Sequence, residues 1–438
     1  MFHRALVETP GCRVRRLGGN RRNEMRFHRF LRHLHVTVAE MAASAGARTG
    51  ALAAGRDIAV IQDTSEIYAG GAALAAKGFG PVGKGGATRG VLAHAAIAVD
   101  AATGALLGLA DLAVWTREGG AKPQPRERRY EDKESHRWLA SAKAAGERLA
   151  GARSVTMVSD SESDIYEYFA GKPEGVELLA RARHDRPLVA QGLEVDGDCP
   201  ALLKAALAHC VPARRFDFEV PAIPGRKARA AKLALRFVKV RFKRPPEAGR
   251  SLPESLPFSV VEVKEEHPPE GVAPLEWRLV TSHAVDTAER AREIVELYRG
   301  RFLVEDLFRT AKSAGIGIED ADIEDARAFV TFTALAMIAA CSILQMVKAR
   351  GGGTGQTIEH AFEPEDRPIL EALCAKLEGR TLKQKNPHKP PDLAYASWVI
   401  ARLGGWGGYY GKPGPQTMRH GFERYHAIKL GYQLADEK

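Results

Sequence analysis

The chain of 438 residues carries 64 Lys and Arg against 54 Asp and Glu, which gives a formal net charge of +10. At about 100–200 residues per domain, this length predicts two or three domains. A composition of 45% hydrophobic and 27% charged residues excludes wholesale disorder and collagen-like repeats. The positive charge favours a polyanionic partner such as nucleic acid.

The cysteines are scattered and contain no CxxC pair, so neither a zinc ribbon nor a disulfide framework is predicted. The first residues, MFHRALVETPGCRVRR, lack the apolar stretch of a signal peptide. Both observations favour a protein of the reducing cytoplasm. The five cysteines are Cys12, Cys199, Cys210, Cys341 and Cys374.

Hydrophobic periodicity predicts a basic helical region at residues 1–50, with helical spacing over 21–41, followed by an α/β core. A β-rich stretch at about 172–285 is predicted to be an insertion in that core. After the glycine linker at 351–353, the chain is predicted to be mostly helical. The predicted strands are residues 57–61, 90–99, 104–114, 154–159, 177–183, 215–220, 233–242, 258–263 and 277–281, and the predicted core helices are 135–149, 163–169, 287–312 and 328–347.

The segment 328–347 contains 20 residues without a charge, which is long enough to span a bilayer. Thr331, Thr333, Ser342 and Gln345 interrupt its apolar character. A helix that is apolar on all sides can also occupy the centre of a large domain. We therefore expect a buried core helix.

Two aspartates follow predicted strands. Asp63 comes after the apolar run 58–61, and Asp160 comes after 155–158. With one further acid, two such carboxylates can bind two divalent cations, which promote in-line displacement at phosphorus. Each aspartate also has an ordinary alternative as a turn or helix N-cap residue.

A second pattern lies in the predicted helix 287–312. Tyr298, Arg301, Glu305 and Lys312 are spaced by three, four and seven residues, so a regular helix would align them. The ordinary alternative is a surface helix with solvated ion pairs, each worth only about 0.2–0.5 kcal/mol. The functional interpretation places a carboxylate at a metal, with cations and a phenol binding phosphates.

The spacing Y-(2)-R-(3)-E-(6)-K matches the signature of a family of DDE-type bacterial insertion-sequence transposases. Asp63-Thr64-Ser65 resembles the D-T-T segment of that family, and residues 160–164 resemble its D-R-E-x-D segment. Residues 132–140 and 393–405 resemble two further stretches.

Trp277 precedes Tyr298 by 21 residues, as the base-stacking tryptophan of the family does. The resemblance covers about residues 20–435, with all of its motifs in the same order.

The resemblance implies a ribonuclease H-like α/β fold, a mixed sheet with a β-rich insertion, at residues 51–350. It implies a shortened basic helical DNA-binding module at 1–50 and a helical dimerisation domain at 351–438. The implied activity is cut-and-paste transposition: metal-dependent endonuclease cleavage of transposon ends through a hairpin, and strand transfer into target DNA. A homodimer on double-stranded DNA would act in the cytoplasm at the nucleoid, without a membrane.

The resemblance also assigns roles to individual residues. Asp63, Asp160 and Glu305 would be catalytic and would bind two magnesium ions, or manganese in their place. Trp277 would stack on a flipped base, for about 1–3 kcal/mol; its ordinary alternative is a core position. The other implied DNA-binding residues are Tyr298, Arg301, Lys312, Arg181, Arg183, Arg29 and Arg32, of which Arg181 and Arg183 have solvated strand charges as their alternative.

The sequence departs from the family pattern in three places. Ser161 stands where the family usually has Arg, which removes a phosphate contact, whereas Ser65 in place of Thr keeps a hydroxyl. The N-terminal module is short, because its matching text begins only around residues 17–32. Shortened forms inhibit transposition in the family, so a non-catalytic DNA-binding or dimerising inhibitor is the alternative function. A structure-specific nuclease is less favoured, since the Tyr, Trp and Lys positions suit hairpin chemistry.

Overall fold

A computed structural model describes residues 2–9, 11–117, 129–189, 201–220 and 228–436. Over these residues the protein is mixed α/β, with one ten-stranded mixed sheet and a helical C-terminal region. The predicted mixed sheet and helical C-terminal region are therefore confirmed. Cys12, Cys210, Cys341 and Cys374 are free thiols, and Cys199 lies outside the described residues.

The sheet combines parallel and antiparallel pairing. Its order is β2-β3-β1-β5-β6-β10-β9-β8-β7, and β4 pairs with β3. The pairs β1–β5 and β5–β6 are parallel, whereas every other pair among the described strands is antiparallel. The β-rich stretch thus extends the sheet that contains the parallel strands. The strands are β1 Asp57–Gly70, β2 Gly80–Val82, β3 Thr88–Asp100, β4 Leu106–Trp115, β5 Ser154–Ser159, β6 Val176–Arg181, β7 Arg214–Val220, β8 Arg229–Lys243, β9 Ser255–Glu266 and β10 Glu276–Thr281.

Helices cover both faces of this sheet. Side chains alternate along a strand, so Ala59 and Ile61 of β1 enter one hydrophobic core while Ile58 and Val60 enter the other. The helices α5, α6 and α7 pack in the second core, and α8, α9 and α10 pack in the first. The helices are α1 Phe2–Glu8, α2 Val14–Gly18, α3 Arg21–Arg32, α4 Val38–Ala53, α5 Arg137–Arg148, α6 Tyr166–Ala170, α7 Leu203–His209, α8 Ala288–Arg299, α9 Leu303–Arg309, α10 Ala326–Ala349, α11 Asp366–Leu377, α12 Leu393–Leu403 and α13 Pro415–Asp436.

The strand β1 is longer than the prediction of 57–61. Its parallel pairing with β5 ends where Ile61 lies opposite Val158. Its antiparallel pairing with β3 continues as far as Gly70. The polar residues after Ile61 therefore remain in a strand because β3 supplies their backbone partners, which an apolar pattern cannot reveal.

The apolar helix α10 lies in the core, as predicted. Its length and hydropathy would also suit a membrane-spanning helix, but 83% of its most apolar window is buried inside the protein. It packs against α1, α3, α12 and α13 and against the strand β4. The N-terminal and C-terminal helices therefore share one core with the sheet.

Arg419 of α13 joins three distant stretches of the chain. Its buried guanidinium donates to the carbonyl oxygens of Thr9 at 2.6 Å, Gly11 at 3.3 Å and Ile316 at 3.1 Å, and also to that of Gly315. An arginine has five N–H donors and no acceptor, which suits it to collect several carbonyl groups.

The predicted helix over 21–41 is interrupted. The helix α3 ends at Arg32, and Thr37 begins α4 by accepting a hydrogen bond from the Glu40 N–H at 3.2 Å. Phe27 is buried, whereas Leu34 is 69% exposed in the connection between the two helices. The N-cap chemistry of Thr37 thus overrides the continuous apolar spacing.

Candidate active site at the ends of the parallel strands

Asp63 and Asp160 lie at the same level on two neighbouring strands. Asp160 directly follows β5, and the parallel register pairs Ile61 with Val158. Continuing that register by two residues brings Asp63 level with Asp160. Side chains two residues apart share a face, so Asp63 lies on the face of Ile61, against which α9 packs. The predicted convergence is therefore present, although Asp63 lies within β1 and not at its end.

The carboxylate of Asp63 is largely buried, with 18% of its side chain exposed. Its Oδ1 accepts a hydrogen bond from the N–H of Thr64 at 2.7 Å. Burial, followed by the charge of Asp160, raises the pKa of Asp63 from 3.8 to about 6. A buried carboxylate next to a second carboxylate is well suited to bind a cation.

Asp160 has a local structural role as well. Its Oδ1 accepts a hydrogen bond from the Glu162 N–H at 2.9 Å, which caps the short turn Ser161–Ser163. The Ser163 hydroxyl donates to the backbone oxygen of Asp160 at 2.7 Å. The N-cap alternative is thus real, but a carboxylate has two oxygens and several lone pairs, so the cap does not exclude metal binding.

The helix predicted over 287–312 consists of several segments. A tight 3₁₀ turn at Gly300–Phe302 separates α8 from α9, and a wide π-type turn at Thr310–Ala314 follows α9. Lys312 in the wide turn contacts Glu319 at 3.9 Å, and its ammonium lies 5.7 Å from the Tyr68 ring centre. Burial lowers the pKa of Lys312.

Arg301 joins two members of the predicted catalytic triad. Its Nη1 donates to Asp63 Oδ2 at 3.2 Å, and its Nη2 donates to Glu305 Oε1 at 2.5 Å. Only 10% of the Arg301 side chain is exposed, against 53% of Glu305. The third carboxylate therefore lies in the same region as Asp63 and is connected to it through a cation.

The described residues contain no group of three or more His, Cys, Asp or Glu side chains close enough to hold a metal ion together. The donors themselves suit magnesium, because it prefers carboxylate oxygens. Arg301 binds one oxygen of Asp63 and one oxygen of Glu305. The side chains of Asp63, Asp160 and Glu305 therefore suit a metal ion by their chemistry, while Arg301 holds two of their oxygens in this structure.

Tyr298 and Trp277 lie side by side near these acids. Tyr298 is buried, which raises its pKa, and it lies within electrostatic range of Arg301, Arg181 and Asp160. Its ring centre is 6.4 Å from that of the half-buried Trp277. Because Trp277 is only half-buried, its position is compatible both with a role in the core and with stacking on a base.

Arg181 ends β6, the strand next to β5, and Arg183 follows two residues later. Arg181 is exposed, donates to the backbone oxygen of Glu276 at 3.1 Å and lies within electrostatic range of Tyr298. Arg183 is also exposed, and its backbone N–H donates to Asp164 Oδ2 at 2.7 Å. Both side chains are therefore accessible, and that of Arg181 lies near Tyr298.

Arg29 and Arg32 lie on α3, where both are exposed. They line a surface groove of about 550 Å³ together with Leu34 and three histidines, His28, His33 and His35. The groove is separate in sequence from the acidic residues. It is a basic surface whose charges are accessible to a polyanion.

Sequence patterns did not identify Arg137, the second cation beside the aspartates. Its Nε donates to Thr64 Oγ1 at 2.7 Å, and its Nη2 donates to Glu162 Oε2 at 2.9 Å. Its charge is felt by both Asp63 and Asp160, while burial lowers its own pKa. The position lies in the 132–140 segment, and its proximity to β1 arises from tertiary packing alone.

A chain of buried polar groups lies beneath the two aspartates. Thr64 Oγ1 is 2.8 Å from His94 Nδ1, His94 Nε2 is 3.2 Å from Gln62 Oε1, and Gln62 Nε2 is 2.9 Å from the Tyr168 hydroxyl. Burial, and to a smaller degree Arg137, lowers the pKa of His94 to about 3, so its ring is neutral.

The direction of hydrogen donation along this chain follows from chemistry. Arg137 can only donate, so the Thr64 hydroxyl accepts from it. Gln62 Oε1 can only accept, so the neutral His94 ring carries its proton on Nε2, and its bare Nδ1 accepts from the Thr64 hydroxyl. The neutral ring then donates from Nε2 to Gln62, and the Gln62 amide donates to Tyr168. Tyr168 bonds to Ser159, which lies 2.6 Å from the Ser163 hydroxyl that donates to Asp160. One directed chain thus connects the end of β1 with the end of β5.

No protein-family model matches the chain. A functional assignment therefore depends on the site itself: the two level aspartates, the acid on α9, and the cations and aromatic side chains around them.

Proposed function

We propose that the protein is a DDE-type transposase with a ribonuclease H-like catalytic domain. The main support is the convergence of Asp63 and Asp160, on neighbouring parallel strands, with Glu305 on a helix that packs on the same face of the sheet. The order of these residues along the chain is the order in the family that the sequence resembles.

Asp63, Asp160 and Glu305 would hold two magnesium or manganese ions. The raised pKa of Asp63 supports a cation site, because burial and then the neighbouring Asp160 carboxylate disfavour its charge, and a bound cation would offset both effects. When bound, such ions stabilise the attacking and leaving oxygens of an in-line displacement at phosphorus.

The protein side chains would bind and orient the DNA. Arg137, Arg181, Arg301 and Lys312 would bind backbone phosphates, and the phenol of Tyr298 would contribute a hydrogen bond. Trp277 would stack on a base turned out of the duplex, which costs unpairing energy that stacking partly offsets. These contacts would hold the terminal phosphate in line with the attacking oxygen.

Each step of transposition would be a displacement at phosphorus, so one site suffices. Water would first release a 3′-hydroxyl at the transposon end. That hydroxyl would attack the opposite strand to form a hairpin, water would open the hairpin, and the freed 3′-end would attack target DNA. The partners would be two double-stranded ends and target DNA at the nucleoid, held by a homodimer formed through residues 351–438.

Replacement of Glu305 by Gln tests the catalytic assignment. Glu305→Gln should reduce magnesium-dependent cleavage of a transposon-end duplex at least about a hundredfold, because it removes an anionic ligand. DNA binding should not weaken, since the lost carboxylate repels phosphate. The measurements are gel-based cleavage and a binding titration with the same duplex.

Asp306→Asn is the matched control, because Asp306 lies on the same helix and pairs with Arg309 at 2.7 Å, away from the aspartates. It should cleave as the wild type does. Full cleavage by Glu305→Gln would contradict the assignment. A wild-type chain that binds ends but leaves them uncut, and that blocks an active relative, would favour the inhibitor instead.

A further inference from the structure

The guanidinium of Arg301 lies where cationic charge between the acids is needed. It contacts Asp63 at 3.2 Å and Glu305 at 2.5 Å. Arginine is charged at every physiological pH, so it partly neutralises both carboxylates. Under the proposed function, Arg301 would also bind a DNA phosphate. One side chain cannot lie between two carboxylates and also bind a phosphate with the same nitrogens.

We propose that Arg301 is an internal counter-cation that keeps metal ions out of the site until a DNA phosphate draws it away. The inference rests on the proposed function and deepens it, because it makes metal loading depend on DNA. In the free protein, Arg301 binds Oδ2 of Asp63 and Oε1 of Glu305. In the DNA complex, its guanidinium binds phosphate and leaves those oxygens to the metal.

The arginine is paired with an anion both before and after the exchange. A guanidinium forms paired hydrogen bonds to phosphate as readily as to carboxylate, so it exchanges one anionic partner for another. The carboxylates gain a divalent ion in place of a single charge. When Arg301 moves to the phosphate and the metal takes its place, neither the guanidinium nor the carboxylates are left without a partner. A buried charge without a partner would cost several kcal/mol.

The side chains of Asp63 and Glu305 also differ in how freely they can move, as this exchange requires. Asp63 is held by the N–H of Thr64 at 2.7 Å, whereas half of the Glu305 side chain is exposed and can turn. The Arg301 guanidinium lies 4.6 Å from the centre of the Phe302 ring, which is 51% exposed. Arg301 is therefore separated from solvent by a side chain that is itself half exposed.

Positive linkage between DNA and metal is the thermodynamic consequence. If DNA tightens metal binding by some factor, metal must tighten DNA binding by the same factor. A nuclease site that loads metal only on DNA would be inactive while the protein is free. Glu305 and Asp63 would then serve as ligands only in the complex.

Manganese binding by the full chain provides the test, read from the electron paramagnetic resonance signal of free Mn²⁺. Arg301→Gln removes the charge, and Arg301→Lys keeps it. Arg299→Gln is the matched control, because Arg299 lies on the same turn but pairs with Glu296 at 2.7 Å and lies over Phe218. Thermal melts would establish that each variant is folded.

Without DNA, Arg301→Gln should bind Mn²⁺ about tenfold or more tightly than the wild type, within the range usual for coupled sites. Arg301→Lys and Arg299→Gln should resemble the wild type. Addition of a short random-sequence duplex should tighten Mn²⁺ binding to the wild type and leave Arg301→Gln nearly unchanged.

Equal Mn²⁺ affinity of the wild type and Arg301→Gln without DNA would overturn the inference, provided that Asp63→Asn weakens binding in both backgrounds. Failure of the proposed function would be distinct. In that case Asp63→Asn and Glu305→Gln would leave Mn²⁺ binding unchanged in every background, with or without DNA.

Discussion

At the scale of single residues, the site is built from groups that are unfavourable for folding. Asp63 is buried beside Asp160, and its pKa rises from 3.8 to about 6. A carboxyl group whose pKa is higher in the folded chain favours folding only while it is protonated. The folded protein therefore keeps a charge at neutral pH that destabilises it, which is a common property of functional sites.

Asp63→Asn should accordingly stabilise the protein at neutral pH. The rise in pKa corresponds to up to about 3 kcal/mol. Well below the ordinary pKa of 3.8 the wild-type side chain is neutral in both states, so the two proteins should be equally stable at about pH 2. The difference should grow from about pH 4 and level off above about pH 6, as urea unfolding at a series of pH values would show. A constant difference across this range would contradict titration of Asp63 as the cause.

At the scale of secondary-structure elements, the directed hydrogen-bond chain holds β1 and β5 in register at the site. It begins at Arg137 of α5 and passes through His94 of β3 and Tyr168 of α6 before it reaches Asp160. A buried polar network with every member paired specifies one arrangement, and a missing member leaves its neighbours unpaired. The backbone around both aspartates thus depends on side chains of the second core, on the face of the sheet opposite to Asp63.

Tyr168→Phe tests this dependence, with the adjacent Tyr166→Phe as its matched control. Loss of the Tyr168 hydroxyl leaves the Gln62 amide without its partner and leaves Ser159 with Ser163 alone, which should cost about 1–3 kcal/mol of unfolding free energy. The Tyr166 hydroxyl bonds instead to the Pro253 oxygen at 2.8 Å. Both variants should be less stable in urea, but only Tyr168→Phe should also weaken Mn²⁺ affinity or DNA cleavage. The same loss of activity in both would indicate general destabilisation.

The sequence predicts the elements of the site better than their contacts. The apolar runs locate β5 and α10 almost to the residue, because burial requires those side chains whatever their neighbours are. The pattern fails for β1 after Ile61, since there the strand persists through backbone pairing with β3. It also fails for Arg137 and His94, whose partners Thr64 and Gln62 are far away in sequence. No periodicity encodes a contact of that kind.

The helix that carries the signature shows the same limit. Residue spacing alone aligns Lys312 with Glu305, but the wide turn Thr310–Ala314 gives Lys312 contacts with Glu319 and Tyr68 instead. Arg301 and Glu305 do meet, because they are four residues apart across a single turn. Local spacing is therefore reliable over one turn and becomes unreliable where the helix geometry changes.

At the scale of the whole molecule, the net charge of +10 favours association with DNA through phosphate contacts. Such contacts release counterions, so affinity falls steeply with salt and depends little on base sequence. The α3 groove with Arg29 and Arg32 is one candidate surface for them.

Replacement of both Arg29 and Arg32 by Ala should weaken DNA binding to all sequences alike. It should reduce the slope of log affinity against log salt concentration by about two, at about 0.9 per phosphate contact. Arg367→Ala is the control, because Arg367 is paired with Glu371 at 3.1 Å on α11. An unchanged slope in the double variant would remove the groove from the DNA-binding surface.

The guanidinium of Arg419 has a consequence for experiments that shorten the chain. The four carbonyl groups that it binds belong to the segment before α2 and to the loop just after Lys312. A deletion that removes α13 would leave all four without this donor, beside the helix that carries Glu305. Inactivity of such a truncated chain would therefore not distinguish a lost subunit contact from a displaced catalytic loop. A monomer is better sought by surface substitutions that leave Arg419 in place.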